Sequence, residues 1–331
     1  MAVNVGSLFI SGHGGWSSFE AASGASLSSL DGSASLCTLR SGSASRVVSL
    51  PPSPAVPPLV ADAAARLGFT ATCGGSLGSR GALTRLGAVY TWGVGAEGQR
   101  GRFLASPGAR GGDAPALVPR LDGGVVSLSA GRGHFAAVTS EGFAYAWGSD
   151  ERGQLGLAPT SGAGRHLQAC GDLRTPGAPP RAGAGEYVGM PRSVAALSHV
   201  PLRAVVCGDD WTLFLSRGGD VFACGAGGVG QLGVGRVTCL LNPVRVPLEG
   251  LIDDDGGGGG GGGHVPVAAL AAGGGHVLAL AASGHVLTWG LNASGQLGLG
   301  DFVSRFTPEV VTEEVAPIRL LLPWIKQVVG G

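Results

Sequence analysis

Phe143, Tyr145 and Trp147 alternate with Ala144 and Ala146. That period of two predicts a strand with large side chains on one face and small ones on the other. The same register places Ala88, Tyr90 and Trp92 together, and His285, Leu287 and Trp289. Each strand runs into an aromatic-Gly or Cys-Gly step and then a Gly-Gln-Leu-Gly turn or a close variant. The segments are AVYTWGVGAEGQRG from Ala88, FAYAWGSDERGQLG from Phe143, DVFACGAGGVGQLG from Asp220 and HVLTWGLNASGQLG from His285. Gly87, Gly142, Gly219 and Gly284 precede them and mark hairpin turns in which a positive φ is expected. A unit this short cannot bury both faces alone, so repetition predicts stacked neighbours that share a core.

A second element recurs upstream. The step residues Trp92, Trp147, Cys224 and Trp289 are 55, 77 and 65 residues apart. Thirteen residues before them stand Ser79, His134, Trp211 and His276, and three residues earlier Ser76, Gly131, Gly208 and Gly273. Earlier still, a Pro opens an apolar stretch: Pro115 to Val126, Pro191 to Val206 and Pro243 to Leu270. Each unit therefore reads as strand, turn, strand, tight Gly turn, strand and longer loop. Two flexible insertions account for the uneven spacing, one Gly/Ala/Pro/Arg-rich near 158–190 and one near 253–263, three Asp followed by eight Gly. Residues 1–56 read as a degenerate N-terminal unit with a Ser/Pro-rich segment, in which GSLFISG mimics the strand-Gly step, and 57–331 as the repeat array. The last residues, WIKQVVGG, resemble the opening strand of another unit.

Composition narrows the function classes. Hydrophobic residues make up 44% of the 331 and charged residues 13%, so a core is available while Ser, Thr, Gly and the backbone must keep the surface wet. Twenty-two basic and 22 acidic side chains cancel, leaving no global field for nucleic acid or an anionic membrane. No run of about 18 apolar residues suggests a membrane span, and the N-terminus lacks the features of a secretory signal. The six Cys (37, 73, 170, 207, 224 and 239) form no Cys-x-x-Cys pair, and Cys73, Cys207 and Cys224 fall on predicted strands. They read as inert thiols in a reduced compartment, so cytoplasmic and/or nuclear localisation is expected.

The combined pattern resembles the repeat of the regulator of chromosome condensation family, whose signature runs G-x-x-H, then V-Y-x-W-G, then G-Q-L-G. The best copy spans Gly273 to Gly300 and includes Asn292, Gly295, Gln296, Leu297 and Gly298. The resemblance covers Pro57 to Gly300 well and both ends weakly. It implies an all-β fold, a β-propeller of four-stranded antiparallel blades, commonly seven in a closed ring. Four clear units, one decayed unit and a terminal strand suggest about five to seven blades here. The ring is then smaller, completed by degenerate blades, or incomplete; an incomplete one exposes apolar blade faces that call for a partner.

The candidate chemistry is sparse. Gln99, Gln154, Gln231 and Gln296 recur at one register, which favours loop-fixing bonds over ligand contact. His134 and His276 are separated by a unit and should not share an ion, so they and Trp92, Trp147 and Trp289 are structural positions and no metal is expected. Gly93 to Gly98 and Gly225 to Gly230 satisfy G-x-G-x-x-G without the helix that a dinucleotide site requires. Gly74 to Gly78 matches G-x-S-x-G around Ser76, again without the following helix. Asp253 to Asp255 lack the alternating spacing of a calcium loop.

The residues singled out for partner binding are Arg132, Asp209, Asp210 and Trp211, inside or beside the G-x-x-H turns. Turns at one register of a propeller share a face, which in this family commonly carries partner contacts. The charged neighbours are either an interaction patch or a cross-blade ion pair. The expected function is a non-enzymatic scaffold binding another protein, with no cofactor, no small-molecule substrate, no direct nucleic-acid contact and no membrane. The alternative is guanine-nucleotide exchange on a Ran-like small GTPase, the activity of the family's founding member. A light sensor would need clustered Trp in the turns, which hold Leu77, Gly78, Arg132, Gly133, Asp209, Asp210, Gly274 and Gly275 instead.

Overall fold

The computed structural model describes residues 66–102, 114–121, 124–157, 187–251 and 263–311, with the strand backbones at 7–12, 15–20, 36–41 and 44–49. Within these residues the chain is all-β. Four antiparallel sheets follow one another as blades. The first holds β5 (Phe69–Gly74), β6 (Ser79–Thr84), β7 (Val89–Gly93) and β8 (Ala116–Leu117). Preceding hairpins are β1 (Ser7–Gly12) with β2 (Gly15–Glu20), which joins the inner edge of the first blade, and β3 (Leu36–Ser41) with β4 (Ala44–Ser49). The second blade comprises β9 (Val125–Ala130), β10 (His134–Thr139), β11 (Ala144–Ser149) and β12 (Tyr187–Ser193). The third comprises β13 (Leu202–Cys207), β14 (Trp211–Ser216), β15 (Val221–Gly227) and β16 (Thr238–Arg245). The fourth comprises β17 (Val267–Ala272), β18 (His276–Ala281), β19 (Val286–Gly290) and β20 (Arg305–Val310). Most of the 158–190 insertion, nearly all of the 253–263 insertion, WIKQVVGG and most of 1–56 lie outside the described residues.

The apolar stretches that open on Pro turn out to span two blades. Pro191 lies in β12 and Pro243 in β16, the outermost strands, where a missing N–H costs no ladder bond. The apolar residues that follow supply the innermost strand of the next blade, β13 or β17. One sequence unit therefore crosses the boundary between two structural blades, which ties each blade covalently to its neighbour.

Burial follows the predicted alternation from Ala144 to Trp147, while Phe143, expected on the face of Tyr145 and Trp147, precedes the strand and is exposed. Tyr145 and Trp147 join Leu83, Val89 and Phe135 in a core between the first and second blades. Their small neighbours Ala144 and Ala146 join Val205, Phe214 and Cys224 in a core between the second and third. Leu213, Leu215 and Leu232 meet Val277, Leu287 and Trp289 between the third and fourth. Three complete interfaces thus pair a bulky face with a small or aliphatic one. Two half-cores flank them: Ala82 and Trp92 with Phe69 on the first blade, and Leu280, Val286 and Val311 with Leu278 and Leu299 on the fourth.

Polar clasps repeat at each of these interfaces. The hairpin glycine carbonyl accepts the first N–H of the next blade's inner strand: Gly87 from Val125 at 3.2 Å, Gly142 from Leu202 at 3.1 Å and Gly219 from Val267 at 3.0 Å. Gly142 has φ +98° and its missing Cβ would stand 3.0 Å from Leu202 N, so conformation and space both exclude a side chain. The Gln-loop carbonyl is met likewise by the next blade. Trp147 Nε1 donates to Gln99 O and Trp289 Nε1 to Gln231 O, each at 3.0 Å. In the third blade Cys224 replaces the Trp; the Thr212 hydroxyl donates to Gln154 O at 2.7 Å, and the Cys224 thiol makes a longer contact of 3.5 Å to the same oxygen.

The Gln side chains close their own loops. Oε1 of Gln99, Gln154, Gln231 and Gln296 accepts the N–H two residues earlier, at 2.8–2.9 Å in all four. Leu155, Leu232 and Leu297 then bury the following position. Arg100 occupies that slot in the first blade, buried, with Nε donating to Gly93 O and Nη1 without a partner among the described residues. A buried, incompletely bonded cation is unfavourable beside an aliphatic chain of similar volume. Arg100→Leu is therefore expected to raise stability by about 1–2 kcal/mol, read as a higher midpoint in urea unfolding; a lower midpoint would refute this account of the slot.

Candidate interaction face

The G-x-x-H turns join the first and second strands of the blades, on the face that also carries the Gln loops. Each turn is tight because Gly N–H bonds the carbonyl three residues on: Gly131 to His134, Gly208 to Trp211 and Gly273 to His276, at 2.9–3.0 Å. The ring at the third position folds back over that Gly. A Cβ on Gly131 would lie 2.1 Å from His134 Cε1 and 2.5 Å from Gly208 O, so only Gly fits. In the first blade the equivalent bond runs from Gly75 to Ser79. Gly75, not Ser76, is the counterpart of Gly131, because this turn holds one extra residue that fixed spacing could not register.

Main-chain bonds lace successive turns together. Arg132 N–H donates to Asp209 O at 2.8 Å, and Asp209 N–H to Gly274 O at 3.2 Å. Arg132 grips Asp210 across the blade boundary, Nη2 to Oδ2 at 2.8 Å and Nε to Oδ1 at 3.1 Å. Of the two sequence readings, the cross-blade ion pair is present. It leaves the Arg132 side chain 48% exposed and that of Asp210 22% exposed, so both remain open to a partner. Asp209 is half-buried; burial first, then Asp210, lifts its carboxyl above the ordinary range while Arg132 opposes.

Trp211 needs correction. Its ring is fully buried in the core between third and fourth blades, and Nε1 donates to Gly274 O at 2.8 Å. It has no surface to offer, so it is a packing residue in the His place of its turn. His134 is also buried, with Nε2 2.9 Å from Thr212 Oγ1. His276 is partly buried and a full blade away from His134, and no group of three metal-type ligands exists among the described residues. Trp147 and Trp289 are buried at blade interfaces, and Trp92 is buried in the half-core of the first blade.

Glu97 and Glu151 belong to this face and were missed in the sequence. Glu97 Oε2 sits where a Cβ of Gly133 would stand, at 2.4 Å. Its carboxyl is lifted by burial first, then by Glu151, with Arg132 opposing. Glu97 lies two residues before Gln99 and Glu151 three before Gln154, in loops read only as turn chemistry. The face thus collects Glu97, Glu151, Asp209 and Asp210 around Arg132, drawn from three blades. It offers charged hydrogen-bonding groups.

Comparison with known proteins places these features. Family models described as Regulator of chromosome condensation (RCC1) repeat match residues 141–215 and 283–331, and residues 125–154 and 267–296. The first match starts beside the third strand of the second blade and ends in the second strand of the third, the boundary-crossing unit seen in the fold. The RCC1 domain-containing protein RUG3, mitochondrial, of Arabidopsis thaliana is 32% identical over 234 residues, 69% of this chain and 43% of that relative. The chain thus spans under half that relative's length. Among solved structures, human WBSCR16 superposes with a TM-score of 0.56 at 23% identity, covering 74% of this chain and 53% of that one. Prp20p of Saccharomyces cerevisiae, described with its binding properties to Gsp1p and histones, gives 0.56 at 17% identity, covering 86% and 59%. Both likenesses concern the propeller fold.

Proposed function

Because the chain belongs to the regulator of chromosome condensation repeat family, we propose that it is a non-enzymatic propeller scaffold that binds another protein through the turn face. The carrying observation is the Arg132–Asp210 pair with Asp209 beside it, held in place by main-chain bonds across three blades yet still solvent-accessible. An exposed ion pair adds only on the order of 0–1 kcal/mol to stability, so folding alone gives little reason for it. Acids outnumber Arg132 in the immediate cluster, which makes a segment with basic side chains the complementary partner. Prp20p, described with its binding to Gsp1p and histones and in a structure with Kap60, has the same fold, which supports the class of function and not the identity of the partner.

The test uses purified chain and an Asp209→Ala/Asp210→Ala variant. Proteins retained by the wild type are identified and re-bound as purified components. The variant is expected to lose about tenfold in affinity with an unchanged melting curve. Equal retention of every protein by both forms overturns the assignment of this face. Nucleotide exchange is the competing activity: GDP release from a Ran-type GTPase is expected to stay at its intrinsic rate when the chain is added, and acceleration would replace the scaffold reading.

A further inference from the structure

The extra residue in the turn between β5 and β6 brings an apolar side chain to the surface. Between Gly75 and Ser79 stand Ser76, Leu77 and Gly78, where the later blades have Arg132-Gly133, Asp209-Asp210 and Gly274-Gly275. Leu77 is 45% exposed. Val94, which follows the step Gly93, is also 45% exposed, and its Cγ2 lies 3.5 Å from where a Cβ of Gly78 would stand. Two large apolar side chains thus flank one glycine on the turn face. Neither belongs to a blade core.

This apolar step adjoins the charged cluster. Val94 opens the loop that carries Glu97, and Glu97 Oε2 reaches the second-blade turn at Gly133. The first turn abuts the same neighbour, since a Cβ on Gly75 would lie 2.3 Å from Gly131 O and 3.0 Å from Arg132 O. At the fourth-blade end, by contrast, Leu291 and Val229 close round Gly275 and are partly buried. An isolated exposed Leu or Val is ordinary on a protein surface. A neighbouring pair that packs into no core, beside charged groups held by main-chain bonds, has the make-up of an interface: the apolar anchor supplies energy and the charges supply orientation.

Resting on the turn-face reading above, we propose that Leu77 and Val94 form the anchor subsite of that face, and that the partner segment carries a large apolar side chain close to a basic one. The apolar side chain covers Leu77 and Val94, and the basic one meets the acids that begin at Glu97. Charge selects this occupant: Glu97, Glu151, Asp209 and Asp210 outnumber Arg132, so an acidic segment with the same apolar residue is repelled.

Fluorescence anisotropy of the full chain with labelled synthetic peptides tests this. Each peptide holds an Arg pair and one Leu, Phe or Trp at varied separation in a Gly/Ser background. Controls carry Ala for the apolar residue or an Asp pair for the Arg pair. The best Arg-apolar peptides are expected to bind about tenfold more tightly than their Ala controls. In Leu77→Ser/Val94→Ser that gain should vanish while the preference for Arg over Asp persists, which also shows that the variant is folded. Asp209→Ala/Asp210→Ala should do the reverse, keeping the apolar gain and losing much of the preference for Arg. An apolar gain that is absent from the wild type, or unchanged in Leu77→Ser/Val94→Ser, overturns the anchor subsite; a persisting preference for Arg then leaves the acidic face standing. A wild type that binds Arg and Asp peptides equally overturns the acidic face as well. Failure of every peptide to bind overturns the anchor subsite.

Discussion

Replacing Trp147 by Ala is expected to lower the unfolding free energy by about 3–5 kcal/mol. Trp147 is fully buried, and its ring stacks on Phe135 with centroids 5.6 Å apart at 6°. Its indole is also the donor that satisfies Gln99 O in the preceding blade. Truncation therefore leaves a cavity and an orphaned carbonyl at one interface, two of the recognised routes to a large loss. Trp147→Phe separates them: it retains most of the volume and should cost about 1–2 kcal/mol for the missing donor. The third blade supplies an internal control, since Cys224 already stands in the Trp place and Thr212 provides the bond. Cys224→Ala removes little volume and no essential donor, so it should cost much less than Trp147→Ala. Urea unfolding of the variants measures the order; a Trp147→Ala loss no greater than that of Cys224→Ala would refute the view that Trp fills and bonds the blade seam.

Much of this seam was legible in the sequence. Period-two alternation put Tyr145 and Trp147 opposite Ala144 and Ala146, and the structure uses those faces for different neighbours. The recurring Gln was readable as a loop-fixing side chain because one register implies one local geometry. The reading faltered where spacing and chemistry diverge. A one-residue insertion displaced Gly75 from its counterparts, since alignment on Ser79 cannot detect an extra turn residue. Trp211 looked like a surface anchor because it stood between charged residues and the next strand. Its register partner His134 gave the better signal, since an equivalent position folds its ring inward regardless of the flanking charges. Glu97 and Glu151 escaped notice because proximity across blades depends on packing, which no single repeat encodes.

Acidification is expected to destabilise the fold through His134. An unfolded imidazole titrates near 6.5, whereas burial pushes His134 down to about 3. The local geometry explains the direction. Thr212 gives its one hydroxyl proton to Gln154 O, so it can only accept from His134, which fixes the proton on Nε2. Protonation would then add a charged N–H at Nδ1, packed over Gly131 with no acceptor among the described residues. Between these two pKa values the unfolded chain binds a proton that the folded chain refuses, so stability is full above about pH 7 and falls as the pH drops toward 3. Lowering the pH from 7 to 5 should cost about 2 kcal/mol from this residue. His276, also depressed by burial, acts in the same direction. Glu97 and Asp209, whose carboxyl pKa values are raised in the fold, act in the opposite direction. His134→Gln keeps a side-chain donor near Thr212 and removes the titration. Urea midpoints at pH 7, 6 and 5 should therefore fall less steeply for the variant than for the wild type. Parallel slopes would mean that His134 protonates without penalty and that the turn over Gly131 is open to water.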